Sequence, residues 1–369
     1  MRILYIANEL SPKNGWAVIN YYTVREMARL GHEIHVLSAA NAEQAQMDGI
    51  TQYPLLTCFS DGYLKPARVA RDAVRVRKAL GAAMFDVAHV LVEPYLPILP
   101  FMKSHRKIFS IVGTYAVFPF QRGSNKYLYR FALKSADAVV AVSRYTAERF
   151  AINNTARIPV HVIPLGVDIE QFAALEESGG EKEDAFCFVG HLKPRKGLLY
   201  AVKAIERLKQ EYPAVRLYVI GEDDFKTYAQ SCKSYVKEHG LEDTVVFLGF
   251  LPQDEVKKYY RRCVANVLPS VNDGDYFEGF GLIHLEANAA GIPTIGSQGC
   301  GNESAIIDGT TGFLCRQRDV DDLYEKMKLL LEMKDTAAYG MMCRRCREHA
   351  FLHDWRMYAQ KLNDVYQSE

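Results

Sequence analysis

Short apolar runs alternate with helix-length segments along almost the whole chain, and this alternation limits the fold more than any other feature. Runs bounded by polar or turn residues are typical of buried strands. The predicted strands are 3–8, 33–38, 86–91, 108–112, 138–142, 185–189, 215–220, 245–248 and 264–268. Because helical patterns separate them, we expect parallel sheets covered by helices on both faces. The sequence therefore predicts an α/β fold with ligands bound at the carboxyl ends of strands.

The alternation stops once, at the polar stretch AALEESGGEKED (173–184), and then restarts. A polar segment with a glycine pair is typical of a linker, and 369 residues are enough for two domains. We therefore predict two Rossmann-like, doubly wound domains at 1–172 and 185–350. The last segment, 351–369, is predicted to be a helix that packs back on the N-terminal domain.

Composition indicates a cytoplasmic protein. No run of 18 apolar residues is present, so no membrane span is predicted, and the first apolar run is interpreted as a strand rather than a signal peptide. The eight cysteines are scattered, which favours free packing thiols. Cys343 and Cys346 form a single CxxC pair, for which zinc or redox use is the less favoured alternative.

The two halves of the chain differ in charge. Residues 1–170 carry 20 Lys and Arg against 13 Asp and Glu, whereas residues 171–369 carry 25 against 31. Basic residues recur every three or four positions, which places them on helix faces: Lys65, Arg68, Arg71, Arg75 and Lys78, then Arg122, Lys126, Arg130 and Lys134. These faces are either simply solvated or dock on an anionic membrane, peripherally at its inner face. No nucleic-acid-binding motif is present, so no nucleic-acid partner is expected.

GHLKPRKG, residues 190–197, follows a predicted strand and precedes a predicted helix. Backbone N–H groups at a helix start bind anions, and the helix dipole favours negative charge there. Lys193, Arg195 and Lys196 add three cations within four residues. The loop therefore favours a diphosphate ligand; the alternative is a solvated basic turn.

FEGFGLIHLEA, residues 277–287, places Glu278 and Glu286 around a Gly-Phe-Gly at a predicted helix start. Glycines let a backbone approach a ligand closely and expose its N–H groups. Two carboxylates that accept from hydroxyls beside an anion site suit a sugar nucleotide. A retaining glycosidase also uses two carboxylates, about 5 Å apart, but that alternative gives the cationic loop no role.

These motifs, together with GNESAIIDGTTGFL, resemble the retaining GT-B glycosyltransferases of family 4, also called glycosyl transferases group 1. Segments 136–150, 162–172 and 247–270 are similar too, so the resemblance extends over nearly the whole chain. It implies two Rossmann-like domains that face each other across a cleft, with the acceptor on the N-terminal domain and the donor on the C-terminal domain. It also implies transfer of a sugar from a UDP- or GDP-linked donor to a glycan or lipid-linked acceptor, without a metal or other cofactor.

The resemblance assigns roles to particular positions. Lys196 and Arg195 would bind the donor diphosphate, Glu278 the donor sugar and Glu286 the ribose hydroxyls. The catalytic set would be Glu278, Lys196 and Arg195. The remaining donor-binding positions would be Gly15 in the loop Pro12–Trp16, Gly190, His191, Gly249, Phe250, Leu251, and the backbone of Gly279, Phe280, Gly281 and Leu282. The acceptor or membrane face, which rests on the spacing of basic residues and not on the resemblance, would comprise Lys65, Arg68, Arg75, Arg122, Lys126 and Arg130.

The sequence departs from the family pattern at three positions. His191 stands where the family usually has arginine, and Trp16 follows the one remaining glycine of the first loop. Val112 replaces a histidine that usually lies near the reacting sugar. Two alternatives therefore stay open: a sugar-nucleotide epimerase of the same fold, and a non-catalytic protein that binds sugar nucleotides.

Overall fold

The computed structural model describes residues 1–368 except 13–14, 43–44, 60–63, 122, 124, 155–156, 174–181 and 224–225. The strands are β1 Arg2–Ile6, β2 Glu33–Ala39, β3 Ile50–Leu56, β4 Phe85–Val90, β5 Ser104–Ile111, β6 Ala138–Ala141, β7 Val160–Val162, β8 Ala185–Val189, β9 Arg216–Ile220, β10 Val245–Gly249, β11 Ala265–Val267, β12 Thr294–Ser297 and β13 Gly312–Cys315. The helices are α1 Gly15–Arg29, α2 Pro66–Leu80, α3 Phe118–Gln121, α4 Asn125–Leu133, α5 Arg144–Asn153, α6 Glu170–Ala173, α7 Leu198–Glu211, α8 Lys226–Glu238, α9 Gln253–Arg262, α10 Leu282–Ala289, α11 Val320–Met333, α12 Ala337–Phe351 and α13 Trp355–Gln367.

The chain forms two compact units, one of residues 1–165 with 355–369 and one of residues 166–354. The first contains a parallel sheet in the order β3-β2-β1-β4-β5-β6-β7, and the second a parallel sheet in the order β10-β9-β8-β11-β12-β13. Central strands such as β8, AFCFV, are buried along their whole length, as expected for a strand covered by helices on both faces. The predicted α/β class with two doubly wound sheets is confirmed.

The division between the units falls after Leu165, upstream of the boundary predicted at 172. The amide of Val167 donates to the carbonyl of His353 over 2.7 Å, and Val167 pairs with Asp354 in an isolated bridge. These bonds attach the chain beyond Gly166 to the end of the second unit. Most of the linker predicted at 173–184 lies outside the described residues.

Helix α13 belongs to the first unit. The ring of Trp355 stacks on Tyr22 of α1, with centroids 5.2 Å apart. Near the other end, the hydroxyl of Tyr366 lies 2.5 Å from Nδ1 of His89 and 3.1 Å from the hydroxyl of Tyr5. An apolar stack and a buried polar contact thus fix the two ends of this helix.

Four strands were not predicted from the sequence: β3, β7, β12 and β13. Strands β3 and β7 are the two edges of their sheet, where burial is incomplete and the apolar signal is weak. Pro54 lies within β3, and proline in a sheet is confined to such edges. Within the described ranges, no helix has both the length and the apolar composition needed to cross a membrane.

Candidate functional site

The strand order of the second unit reverses between β8 and β11, and both predicted motifs follow these two strands. GHLKPRKG begins directly after β8, and the chain from Leu268 to Gly281 follows β11. A ligand in a doubly wound sheet binds at the carboxyl ends of strands where the order reverses. The topology therefore explains why motifs far apart in sequence come together.

Loop 190–197 is held tightly against the segment after β11. Pro194–Lys196 forms a 3-10 turn that ends at Gly197, whose φ is 76°. A Cβ at position 197 would lie 1.9 Å from the carbonyl oxygen of Pro269, so only glycine permits this approach. The amide of Val271 donates to the carbonyl of Arg195 over 2.8 Å. These contacts bring the basic side chains to the loop that carries Glu278.

Glu278 forms ion pairs with both predicted cations. Its Oε2 lies 2.5 Å from Nζ of Lys196, 2.8 Å from Nη1 of Arg195 and 3.5 Å from Oγ of Ser270. The Glu278 and Lys196 side chains are 9% and 15% exposed, whereas Arg195 is 27% exposed. The structure thus unites Glu278, Lys196 and Arg195, the three residues that the resemblance implied.

The electrostatics of this cluster leave a positive charge. Burial alone would raise the pKa of Glu278, but Lys196 and then Arg195 outweigh it and lower the pKa to about 2. Burial lowers the pKa of Lys196, and Glu278 opposes that effect. Two cations against one ionised carboxylate give a net charge of about +1, and an anion bound here would complete the charge balance.

The start of α10 adds backbone donors beside the cluster. Gly281 is the N-cap with φ 85°, and α10 begins at Leu282. The amide of Gly301 donates to the carbonyl of Glu278 over 2.8 Å, which holds loop 277–281 on the turn Gly301–Ser304. Free amides at a helix start and the helix dipole both favour an anion. The site can therefore hold a phosphate group between helix amides and cations.

Glu286 lies deeper in α10, on the side that meets α9. Burial raises its pKa, against the influence of Gln253, Lys257 and Tyr260. Glu286 is therefore a half-buried carboxyl beside polar groups of α9 rather than a member of the ion-pair cluster. The two glutamates therefore lie in different environments, one in ion pairs with cations and the other beside polar groups of α9.

A cavity of about 360 Å³ lies at the carboxyl ends of β9 and β10. Its walls include Phe247, Gly249, Phe250, Glu222 and Lys233, and Phe250 is 58% exposed. Gly249 and Phe250 are two of the donor-binding positions that the resemblance implied, and a third, Leu251, is half-buried. A cavity lined by both apolar and charged residues can hold a planar heterocycle that also carries polar groups.

Gly190 and His191, at the start of loop 190–197, lie next to this cavity. The amide of Gly190 donates to the carbonyl of Ile220 over 2.9 Å. His191, where the family usually has arginine, places Nδ1 4.0 Å from Oε2 of Glu222 at the cavity wall. His191 thus lies toward the cavity, while Arg195 supplies a cation to the Glu278 cluster.

In the first unit, Gly15 and Trp16 of the predicted first loop follow β1, and Val112 follows β5. Gly15 begins α1, and the ring of Trp16 lies 5.2 Å from that of Tyr115 and 5.5 Å from that of Phe59. Of the loop Pro12–Trp16, residues 13–14 lie outside the described part of the chain. The departure at Trp16 therefore builds an aromatic cluster in place of an open glycine loop.

A buried carboxyl lies behind Val112. Oε1 of Glu93 accepts hydrogen bonds from the amides of Val112 and Gly113 over 2.7 and 3.2 Å. Burial raises the pKa of Glu93 to about 7, although these amides and Trp16 oppose the rise. Where the family pattern has a histidine, this chain thus has an apolar side chain backed by a carboxyl of unusual pKa.

The predicted basic face has two parts. On α2, Lys65 precedes the helix, Arg68 donates to the carbonyl of Cys58 over 3.0 Å, and Arg75 is exposed. On α4, Arg130 is exposed, Lys126 is half-buried and Lys134 follows the helix. Arg122 lies outside the described residues.

The sequence analysis missed the aromatic component of α4. Tyr127 and Phe131, four residues apart, are 66% and 65% exposed. The hydroxyl of Tyr129 accepts from the amide of Leu64 and donates to the carbonyl of Pro94, so α4 packs beside the start of α2. We call Lys126, Tyr127, Arg130, Phe131 and Lys134 the α4 surface; it is both basic and aromatic.

Within the described ranges, no three or more His, Cys, Asp or Glu side chains are arranged to hold a metal ion. Sequence reasoning also missed Ser270 beside Glu278, the cavity residues Glu222 and Phe247, and the buried His284 and Asn302 described below. Only the approach of strand ends in three dimensions reveals these residues.

Fold and site together define a doubly wound α/β protein with a cationic cluster at the carboxyl ends of β8 and β11. Two family models match the chain: "Glycosyl transferases group 1" over residues 167–351, which is half of the chain, and "Glycosyltransferase Family 4" over residues 13–171. The chain belongs to the glycosyl transferases group 1 family.

Curated relatives match over part of their length. A GDP-mannose-dependent alpha-(1-6)-phosphatidylinositol monomannoside mannosyltransferase of Mycolicibacterium smegmatis is 28% identical over 233 residues, 60% of this chain and 59% of that protein. Glycogen synthase of Mycobacterium tuberculosis is 32% identical over 210 residues, 56% of this chain and 48% of that protein. The match thus spans about half of the relatives' length.

Solved structures match over the whole chain. Sucrose-phosphate synthase from Thermosynechococcus elongatus has a TM-score of 0.78 at 19% identity and covers 100% of this chain and 98% of its own. Anabaena HepE in complex with UDP-glucose also has a TM-score of 0.78, at 16% identity, with both chains covered fully. These neighbours share the GT-B fold, and the predicted fold is confirmed.

Proposed function

We propose that this protein is a retaining glycosyltransferase that moves a sugar from a nucleotide-diphosphate sugar to a hydroxyl of a glycan or lipid-linked acceptor. The observation that carries the proposal is the cluster of Lys196, Arg195 and ionised Glu278 beside the start of α10. Its net positive charge is suited to a diphosphate, and its carboxylate is suited to sugar hydroxyls. Family membership supports the same reaction class.

The chemistry assigns each group a task. As the bond from the anomeric carbon to the donor phosphate breaks, negative charge develops on the departing diphosphate. Lys196, Arg195 and the α10 amides stabilise that charge because they are in place before it forms. The acceptor oxygen bonds to the anomeric carbon on the face that the phosphate leaves, and the departing phosphate takes the acceptor proton. Glu278 orients the sugar, and Glu286 accepts from the ribose hydroxyls.

The donor is proposed to be UDP- or GDP-linked, with its base in the cavity beside Phe250. A relative is named as GDP-mannose-dependent, and HepE was solved with UDP-glucose. Catalysis is proposed to need no metal, because the cations of the cluster neutralise the diphosphate. Turnover should then persist in excess EDTA, and its loss with recovery on Mg²⁺ or Mn²⁺ addition would refute this part.

The direct experiment measures nucleoside diphosphate release from UDP-glucose and GDP-mannose, with and without glycan and lipid acceptors. The proposal predicts acceptor-dependent release by the wild type and by Lys258→Ala, a control in an exposed ion pair with Glu255. Lys196→Ala and Glu278→Gln should abolish release. A product with the same anomeric configuration as the donor, read by NMR, would support retention, and an inverted product would refute it.

The same assay separates the two alternatives. An epimerase would convert the donor sugar without any acceptor. A non-catalytic binding protein would bind the nucleotide without turnover, an alternative that Val112 and His191 keep open. Acceptor-dependent transfer is the outcome that excludes both.

A membrane-bound acceptor is the second part of the proposal. The α4 surface combines three basic residues with two exposed aromatic rings, a combination that suits an anionic interface. Each basic residue contributes about 1 kcal/mol near such a surface. We therefore place the protein at the inner face of the cytoplasmic membrane.

Vesicles containing anionic lipid test this placement. Binding should be strong at low salt and weak at high salt, because salt screens surface charge. Alanine at Lys126, Arg130 and Lys134 should weaken binding roughly 100-fold. Alanine at Lys258, Arg344 and Arg345, exposed basic residues of the second unit, should change it little. Equal effects of the two triple variants, or no binding at low salt, would contradict this placement.

A further inference from the structure

A row of four fully buried polar side chains lies beneath the loop that carries Glu278. Its members are Asn266 of β11, Thr294 of β12, His284 of α10 and Asn302 of the turn Gly301–Ser304, each with no exposed surface. Buried polar groups are costly unless they bond to each other. Four of them in one row, next to a candidate site, call for an explanation beyond packing.

Hydrogen bonds link the first three members of the row, Asn266, Thr294 and His284. Nδ2 of Asn266 donates to Oγ1 of Thr294 over 3.2 Å, and that Oγ1 lies 2.6 Å from Nδ1 of His284. At the other end, Nδ2 of Asn302 lies 3.4 Å from the carbonyl oxygen of Leu268, at the end of β11. The row of side chains thus begins on β11 and ends at Leu268, directly after that strand, where the backbone leads into the loop that carries Glu278.

Two atoms in the middle of the row, Nε2 of His284 and Oδ1 of Asn302, are buried and make no hydrogen bond. Both point into one space, because a Cβ at Gly281 would lie 3.2 Å from the first and 2.7 Å from the second. A Cβ at Gly296 would lie 3.1 Å from Nε2 and 2.9 Å from Nδ2 of Asn302. Two glycines therefore leave room for this histidine and asparagine.

The charge state of the imidazole follows from burial. Burial lowers the pKa of His284 to about 3, although Glu278 and the side chain of Asn302 oppose the change. The ring is therefore neutral and carries one N–H. The hydroxyl of Thr294 has one proton, which it can donate to Nδ1, 2.6 Å away, or to the carbonyl oxygen of Asn266, 3.3 Å away. The shorter contact favours Nδ1, and with Nδ1 as the acceptor the N–H is on Nε2, on the side of Oδ1 of Asn302.

We propose that His284 and Asn302 are positioning residues that hold loop 277–281, and with it Glu278 and the α10 amides, in the geometry that binds the donor. This rests on the proposed function of the same site. The amide of His284 donates to the carbonyl of Gly281 over 3.0 Å, and Gly301, beside Asn302, donates to the carbonyl of Glu278 over 2.8 Å. A shift of either side chain therefore moves the backbone of the loop.

The test compares UDP and GDP binding, by calorimetry, with thermal stability. His284→Leu and Asn302→Leu should weaken binding about tenfold, the effect of one lost hydrogen bond to a buried group. His284→Gln, whose amide can still donate toward Asn302, should recover part of that affinity. The matched control is Asn288→Leu, on the same helix and equally buried, whose Nδ2 donates to the carbonyls of Ile292 and Thr311. It should lower the melting temperature while leaving affinity within twofold.

Two outcomes would overturn the proposal. The first is an affinity loss in Asn288→Leu as large as in the His284 and Asn302 variants, which would make the row merely structural. The second is a ¹⁵N NMR spectrum that places the His284 proton on Nδ1. A wild type that binds neither UDP nor GDP would instead refute the proposed function, and the NMR result would still decide the hydrogen-bond arrangement.

Discussion

Opposite changes in diphosphate affinity are expected when the two partners of the central ion pair are removed. Lys196→Ala takes the cluster from two cations and one carboxylate to one of each. A hydrogen bond to a charged group contributes about 1.5–3 kcal/mol, so UDP or GDP should bind roughly 10- to 150-fold more weakly. Glu278 stays ionised beside Arg195, 2.8 Å away, and adds repulsion.

Glu278→Gln removes the negative charge and leaves both cations for the ligand. Two unit charges on the order of 6 Å apart interact by about 3 kcal/mol at an effective dielectric constant of about 20. Part of this gain is lost because Lys196, whose pKa burial lowers, no longer has its carboxylate. We therefore expect nucleoside diphosphate binding to tighten by roughly fivefold at neutral pH, although turnover is lost.

Calorimetric titration of both variants with UDP and GDP, beside wild type and Lys258→Ala, measures these changes. The sugar-free diphosphate is the right probe because it isolates the phosphate contacts from the contact between Glu278 and the sugar. If both variants bind more weakly, Glu278 acts as a structural brace and the charge argument is wrong. If neither changes, the diphosphate binds elsewhere.

Three further outcomes are expected. Gly197→Ala should destabilise the fold by more than about 1 kcal/mol, because the new Cβ would clash with Pro269. Gly340→Ala should stabilise it by about 1 kcal/mol, because Gly340 lies in a helix and its Cβ would meet nothing within 4 Å. Urea unfolding that ranks the two variants otherwise would contradict the glycine argument. Burial raises the pKa of Glu93 to about 7 from 4.5, so between these pH values the folded state keeps a proton that the unfolded state releases. The free energy of unfolding should therefore fall by on the order of 3 kcal/mol as the pH rises through this range. Glu93→Gln should lack this pH dependence, and parallel pH profiles of variant and wild type would refute the argument. If Glu286 accepts from the ribose, 2′-deoxy analogues should bind wild type about tenfold more weakly than the parent nucleotide but bind Glu286→Ala equally well; the same penalty in both proteins would place the ribose elsewhere.

The strands could be predicted where a buried strand is also a run of several apolar residues, and they were missed at sheet edges and where the strand is short. The runs that became β1, β8 and β9 are apolar because helices cover both faces of the sheet. Strand β3 is an edge strand with alternating partial exposure, and β12 is only four residues, TIGS. Their pairing with neighbours, rather than their own composition, makes them strands.

The candidate site also divides into residues that the sequence predicted and residues that it did not. Lys196 and Glu278 were found because each lies in a local motif with glycines and charges at a strand end. His284 and Asn302 were missed because their partners Thr294 and Gly296 come from another strand, and sequence spacing carries no sign of that contact. Phe131 was not singled out from the sequence, yet it is exposed on the α4 surface beside Arg130. Helix periodicity gives the relative angle of side chains but does not say which face the domain covers.

The most direct test of the central claim is a thermal-shift panel of UDP, GDP and ADP with their common sugar conjugates, without metal, on wild type and Lys196→Ala. A ligand that binds only the folded state raises the melting temperature by mass action. We predict a clear shift of the wild type with one base, largely lost in Lys196→Ala. No shift with any nucleotide, or an equal shift in both proteins, would contradict the claim that the Lys196–Arg195–Glu278 cluster binds a nucleotide-diphosphate sugar.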